Sequence, residues 1–129
     1  MATVETEAFD RMAASPTLTA LVPASRIKPE EYRNQNLGTR YIIYFPAAER
    51  AVRFHGGLSR ARLWDFQVSI FAETYQKAKE IAAAARDTLD GISTNGVHFH
   101  YRGSTPGVEE AGSPVVHLAL EFFAGESLA

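Results

Sequence analysis

Cysteine is absent from this chain, which excludes disulfides, thiolate metal sites and cysteine nucleophiles outright. No stretch approaches the roughly eighteen consecutive apolar residues of a membrane-spanning helix, so an integral membrane protein is not expected. The first residues, MATVETEAFD, carry acids where a secretory signal needs a basic segment followed by an apolar one. The chain is therefore expected to stay where it is made unless something carries it out. Internal repeats, low-complexity tracts and dividing linkers are missing as well, which leaves residues 1–129 as a single domain. A basic excess is also lacking: 13 Lys and Arg face 15 Asp and Glu, for a net charge of -2 and a pI near 6.1. Generic nucleic-acid binding normally needs a basic field, so the overall balance argues against it.

What is present fits one hydrophobic core. The chain has 129 residues, 46% of them hydrophobic and 22% charged, the proportions of an ordinary globular domain. Charge is segregated along it. Residues 26–62 hold Arg26, Lys28, Arg33, Arg40, Arg50, Arg53, Arg60 and Arg62 against Glu30, Glu31 and Glu49. Residues 87–129 hold Asp87, Asp90, Glu109, Glu110, Glu121 and Glu126 against Arg102 alone. One basic and one acidic flank suit a subunit that meets copies of itself head to tail; solvated loops that happen to segregate charge produce the same pattern.

Hydrophobic spacing predicts a first helix from Val4 to Ala14, capped by Thr3, with Val4, Ala8, Phe9 and Met12 on one stripe. Ser15-Pro16 ends it and restarts a short turn, with serine as cap and proline at the first helical position. Ala24 to Thr39 reads as a polar connection with a brief extended piece at Arg26-Ile27. Tyr41-Ile42-Ile43-Tyr44-Phe45 has the unbroken apolar character of a strand buried on both faces. Pro46 should make any continuation towards His55 an edge or bulged strand, before a Gly56-Gly57 turn. Trp64, Phe66, Val68 and Ile70 alternate with Asp65, Gln67 and Ser69, the clearest strand in the chain.

A second helix is predicted from Tyr75 to Asp90, capped by Thr74 and closed by Gly91, burying Tyr75, Ala78, Ile81, Ala82, Ala85 and Leu89. Asn95-Gly96 turns into a strand at Val97–Tyr101, Gly103 to Ser113 reads as an exposed loop, and Val115 to Phe123 forms the last strand. The expected fold is therefore α+β: two hairpins pair into an antiparallel sheet of about four strands, with two helices packed on one face. The opposite face should carry His98, His100, His117, Gln67 and Glu121.

Catalytic signals are weak. His98 and His100 share a strand face, and with His117 on a neighbouring strand they could form a zinc site for a metal-dependent enzyme. Nothing in the spacing enforces that meeting, and solvent- or interface-facing histidines are the simpler reading. The serines lack a nucleophile-elbow context, and the glycine pairs lack the lysine and strand-to-helix setting of a phosphate loop. Arg50, Arg53, Arg60 and Arg62 flank a hairpin tip containing Phe54 and His55, which could grip a nucleic-acid backbone or face another subunit.

Taken together, "LTALVPASRIKPEEY", "TRYIIYFP", "LSRARLWDFQVSIFAETYQKAKEIAAAARDTLDGI" and "PVVHLALEFFAG" resemble the tail-completion, or tail-terminator, proteins of long-tailed phages, prophages and gene transfer agents. The most telling part is Arg60 to Leu89, where an arginine-flanked strand runs into an alanine-rich helix. The resemblance implies a non-enzymatic virion protein without cofactor or metal, forming a ring, most often of six, on the head-proximal end of the tail tube. Its partners would be further copies of itself, the major tail tube protein and the head–tail connector or stopper, with DNA passing through the lumen without specific binding and no membrane contact. A neck or head-completion subunit of the same particle is the alternative. Within such a ring, Arg50, Arg53, Arg60 and Arg62 are expected to face an acidic surface of a neighbour that includes Glu109, Glu110 or Glu121.

Overall fold

The structure, a computed structural model, describes residues 3–30, 38–50, 61–91, 93–106 and 115–127. Helix α1 spans Val4–Ala14, and Thr3 caps it reciprocally with Thr6: each backbone N–H donates to the other threonine's hydroxyl. Ser15 closes α1 and caps the short helix α2, Pro16–Leu21, whose Pro16 occupies the first turn. A single 3₁₀ turn at Ala24–Arg26 then leads into strand β1, Ile27–Pro29.

Strands β2 (Tyr41–Arg50) and β3 (Ala61–Ala72) form an antiparallel pair. Helix α3 covers Tyr75–Leu89, with Thr74 accepting from the Lys77 N–H at its start. Gly91 follows at φ +74°, the left-handed conformation that closes a helix most cheaply when no Cβ is present. The two-residue β4 (Ser93–Thr94) turns through Asn95-Gly96, both at positive φ, into β5 (Val97–Pro106), and β6 (Val116–Ser127) completes the chain.

The sheet order is β1-β2-β3-β6-β5-β4. The two long hairpins meet at its centre, where β3 runs antiparallel to β6 along its whole length, from Ala61↔Ser127 to Ala72↔Val116. This is the α+β sheet expected from the sequence, extended by two short edge strands. One of them, β1, lies parallel to β2. Pro46 produces the expected bulge, with the register shifting between Pro46 and Ala48, because proline has no N–H for the ladder.

The helices cover one face. Val4, Ala8 and Met12 of α1, Leu18 of α2, and Ala78, Ile81, Ala82, Ala85 and Leu89 of α3 are buried against Ile42, Phe66, Val68, Ile70, Leu118, Leu120, Phe122, Val97 and Phe99 of the sheet. Full burial of each large side chain contributes about 1.5–3 kcal/mol, so this layer accounts for most of the driving force. Alanines on α3 let the helix lie close to the strands.

Three expectations need correcting. Tyr75, the first residue of α3, does not belong to its buried face; it is half exposed. The segment from Gly103 is not loop throughout, since β5 continues to Pro106. Among the described residues β4 pairs only with Val97 and His98 and leaves the rest of β5 as an edge, where a terminal proline costs no ladder bond. The last strand also runs to Ser127 rather than ending at Phe123, drawn on by the pairing of Ala124, Gly125 and Glu126 with both β3 and β5.

Two buried carboxylates fix α1 onto the sheet. Glu126 of β6 accepts the Val4 N–H at 2.8 Å, placing an acid at the positive end of the helix. Glu7 accepts from Arg11 Nε at 3.1 Å and from Asn95 Nδ2 at 3.3 Å, while Arg11 Nη2 donates to the Val97 carbonyl at 2.8 Å. The charges that a buried helix face would otherwise leave unpaired thus lock it to the β4–β5 turn.

Candidate assembly surface

The sheet face away from the helices is paved by side chains that alternate with the core. Along β2, Ile43 is as buried as Ile42, so this strand is apolar on both sides, as its sequence demands. Register places Tyr41, Phe71 and His117 in one row across β2, β3 and β6. Their rings stack face on, with centroids 4.4 Å apart at both steps and interplanar angles of 11° and 6°. Beside this stack lies a recess lined by Ile43, Phe45, Gln67 and Ser69, in which Gln67 donates to the Ser69 hydroxyl at 2.8 Å.

A second row crosses the same face nearer the other end of β6. The Arg102 guanidinium sits 4.1 Å from the centre of the Phe123 ring and donates to Asp65 at 3.2 Å. His100 pairs with Phe123 and His98 with Gly125. The two imidazoles meet edge to face, 5.7 Å between centroids. His98 fits only because position 125 is glycine: a Cβ there would overlap the imidazole ring.

The expected placement of His98, His100, His117, Gln67 and Glu121 on this face is correct. The histidines do not, however, assemble into one centre. His117 stands opposite Phe71, six positions along β6 from Phe123, which is on the order of 20 Å from the His98–His100 pair. Among the described residues no group of three or more His, Asp or Glu side chains could hold a metal ion, so the metal-enzyme reading built on His98, His100 and His117 loses its geometry.

Of the expected interface residues, Arg50 closes β2 opposite Leu63, and Arg62 lies in β3 opposite Glu126. Their side chains, together with Arg53, Arg60, Glu109 and Glu110, fall outside the described residues. Glu121 is exposed on β6, opposite Gln67. That is five register positions from Arg62, about 17 Å, so within one copy Glu121 stands well away from the basic end of the β2–β3 hairpin. The Glu126 and Glu7 contacts escaped sequence reasoning; the one available signal was an acid at the end of an otherwise apolar alternation in the last strand.

Two described carboxylates, Glu73 and Glu5, are shifted from their ordinary range. The Arg40 Nε–H lies 2.9 Å from both Glu73 oxygens, and this hydrogen bonding pulls the Glu73 pKa down to about 2. Glu5, in the first turn of α1, is shifted upward, first by burial and then by the nearby Glu126 charge.

A chain from a structure described as "Virion of native gene transfer agent (GTA) particle" superposes with a TM-score of 0.77 over 96% of this chain and 94% of that one, at 21% identity, a likeness of fold. No curated protein matches the sequence. The family model of "Tail completion protein gp17" matches residues 7–104, from α1 through most of β5. That span is well over half of the chain, which therefore belongs to the gp17 tail completion protein family, a family of structural proteins.

Proposed function

We propose that this chain is a virion subunit that assembles head to tail into a ring, most often of six, at the head-proximal end of a tail tube. The ring ends tube polymerisation and joins the tail to the head connector or stopper, while DNA passes through its lumen without specific recognition. The observation that carries this reading is the family match over residues 7–104; the shared fold with a chain of a gene transfer agent virion supports it. The contact between copies is heterologous, as ring closure requires. In it, Arg50, Arg53, Arg60 and Arg62 of one copy face acids of the next, drawn from Glu109, Glu110 and Glu121. The segregation of basic residues in 26–62 from acidic ones in 87–129 supplies the complementarity.

The test is to delete this chain from particle-producing cells and image the products. The expected result is unjoined heads with tails of uncontrolled length. Tails of normal length attached to heads would overturn the proposal.

A further inference from the structure

Beyond the ring itself, and resting on the reading that this chain works inside a particle, the structure offers a second contact surface. Between α3 and the β5–β6 pair lies a groove of about 220 Å³, lined by Ala82, Tyr101, Ser104, Leu118 and Leu120. Two cations rim it. Lys79 Nζ lies 5.6 Å from the centre of the Tyr75 ring and the Arg86 guanidinium 4.1 Å from that of Tyr101. They are seven residues apart on α3, hence about two turns or 10 Å, and neither has an acidic partner among the described residues. Cations held over aromatic rings keep their position without an acid to neutralise them, which leaves their charge available to a partner.

Among the described residues, the strand edge at this groove is closed at one end and open at the other. Asp90 accepts the Tyr101 N–H at 2.9 Å, and Gly91 donates to the Phe99 carbonyl at 2.9 Å, so the edge is satisfied as far as Tyr101. Beyond it Ser104, Thr105 and Pro106 are exposed, and no described strand pairs on their outer side. Tyr75, at the end of the same helix stripe, is the one large hydrophobic side chain exposed among the described residues.

We infer that this groove takes an extended, carboxylate-bearing segment of a neighbouring protein, which adds to the β5 edge at Ser104 and sets its acids against Lys79 and Arg86. Main-chain pairing supplies the register and the two cations supply the selectivity.

The test introduces a photo-crosslinking amino acid at Ala83, which is exposed and lines the groove. Intact particles are illuminated and the attached peptide is identified by mass spectrometry. The expected product is a peptide with two or more Asp or Glu side chains, and its yield should fall about tenfold in Lys79→Glu/Arg86→Glu, the size of two exposed ion pairs lost together. Particles that contain the chain but give no cross-link, or a cross-link to a segment without acids, overturn the inference and leave the ring reading standing. Particles that lack the chain altogether overturn both.

Discussion

The Glu126 carboxylate, near the end of β6, accepts the backbone N–H of Val4, 122 positions earlier in the chain, at 2.8 Å. One side chain thus joins the start of the first helix to the end of the last strand. Because both groups are buried, loss of the carboxylate leaves an orphaned N–H inside the protein. Glu126→Ala should destabilise the fold by about 2 kcal/mol, and Glu126→Gln, which keeps an acceptor, by about half of that. Chemical denaturation with an unchanged m-value checks both.

A second prediction concerns His98 and Gly125. Gly125→Ala places a Cβ inside the His98 ring, so the imidazole must swing away from the sheet. The expected cost is about 1 kcal/mol. In the Gly125→Ala/His98→Ala double variant the two effects should be clearly less than additive, since the clash is gone. Additive effects in a double-mutant cycle would show that the two residues do not share this space.

The aromatic row makes a third. Phe71 lies between Tyr41 and His117, in face-on contact with both. Phe71→Ala should cost about 2–3 kcal/mol, while Phe71→Leu should retain most of the stability, because packed area dominates over ring stacking. Thermal unfolding of the two variants separates these contributions.

The pH dependence contains two opposed carboxylates. The pKa of Glu73 is lowered to about 2 in the fold by Arg40, so its contribution is present above its ordinary value of 4.5 and is lost as pH falls from there towards about 2. The pKa of Glu5 is raised by burial and by Glu126, so the folded state holds its proton more tightly than the unfolded chain does. Its ionisation opposes folding at neutral pH, and that penalty disappears as pH falls through the raised value. Glu5→Gln should therefore raise stability at pH 7 and leave it unchanged at the acid end. Glu73→Gln should lower it at pH 7 and flatten the loss below pH 4.5. Denaturation midpoints across pH check both signs.

Much of this fold was readable from local chemistry. Thr3, Ser15 and Thr74 cap the helices they were expected to cap, and Gly91 and Asn95-Gly96 take the positive φ angles their positions demanded. Alternation assigned the faces of β3, β5 and β6 correctly, including the three histidines. Alternation is silent on register, however, and the β5–β6 pairing leaves His117 at the opposite end of the sheet from His98 and His100. The same limit hid Glu126, whose partner is set by tertiary packing alone. Gly103 and Pro106 suggested a loop by composition, yet an edge strand tolerates both.

The central claim is positional: this chain sits where tail meets head. Cryo-electron microscopy of intact particles tests it most directly. The account predicts a closed ring of this fold at the head-proximal end of the tube, with the β2–β3 hairpin of each copy against the next. A reconstruction that accounts for the neck and tube with other polypeptides, and finds this fold nowhere along them, would contradict it.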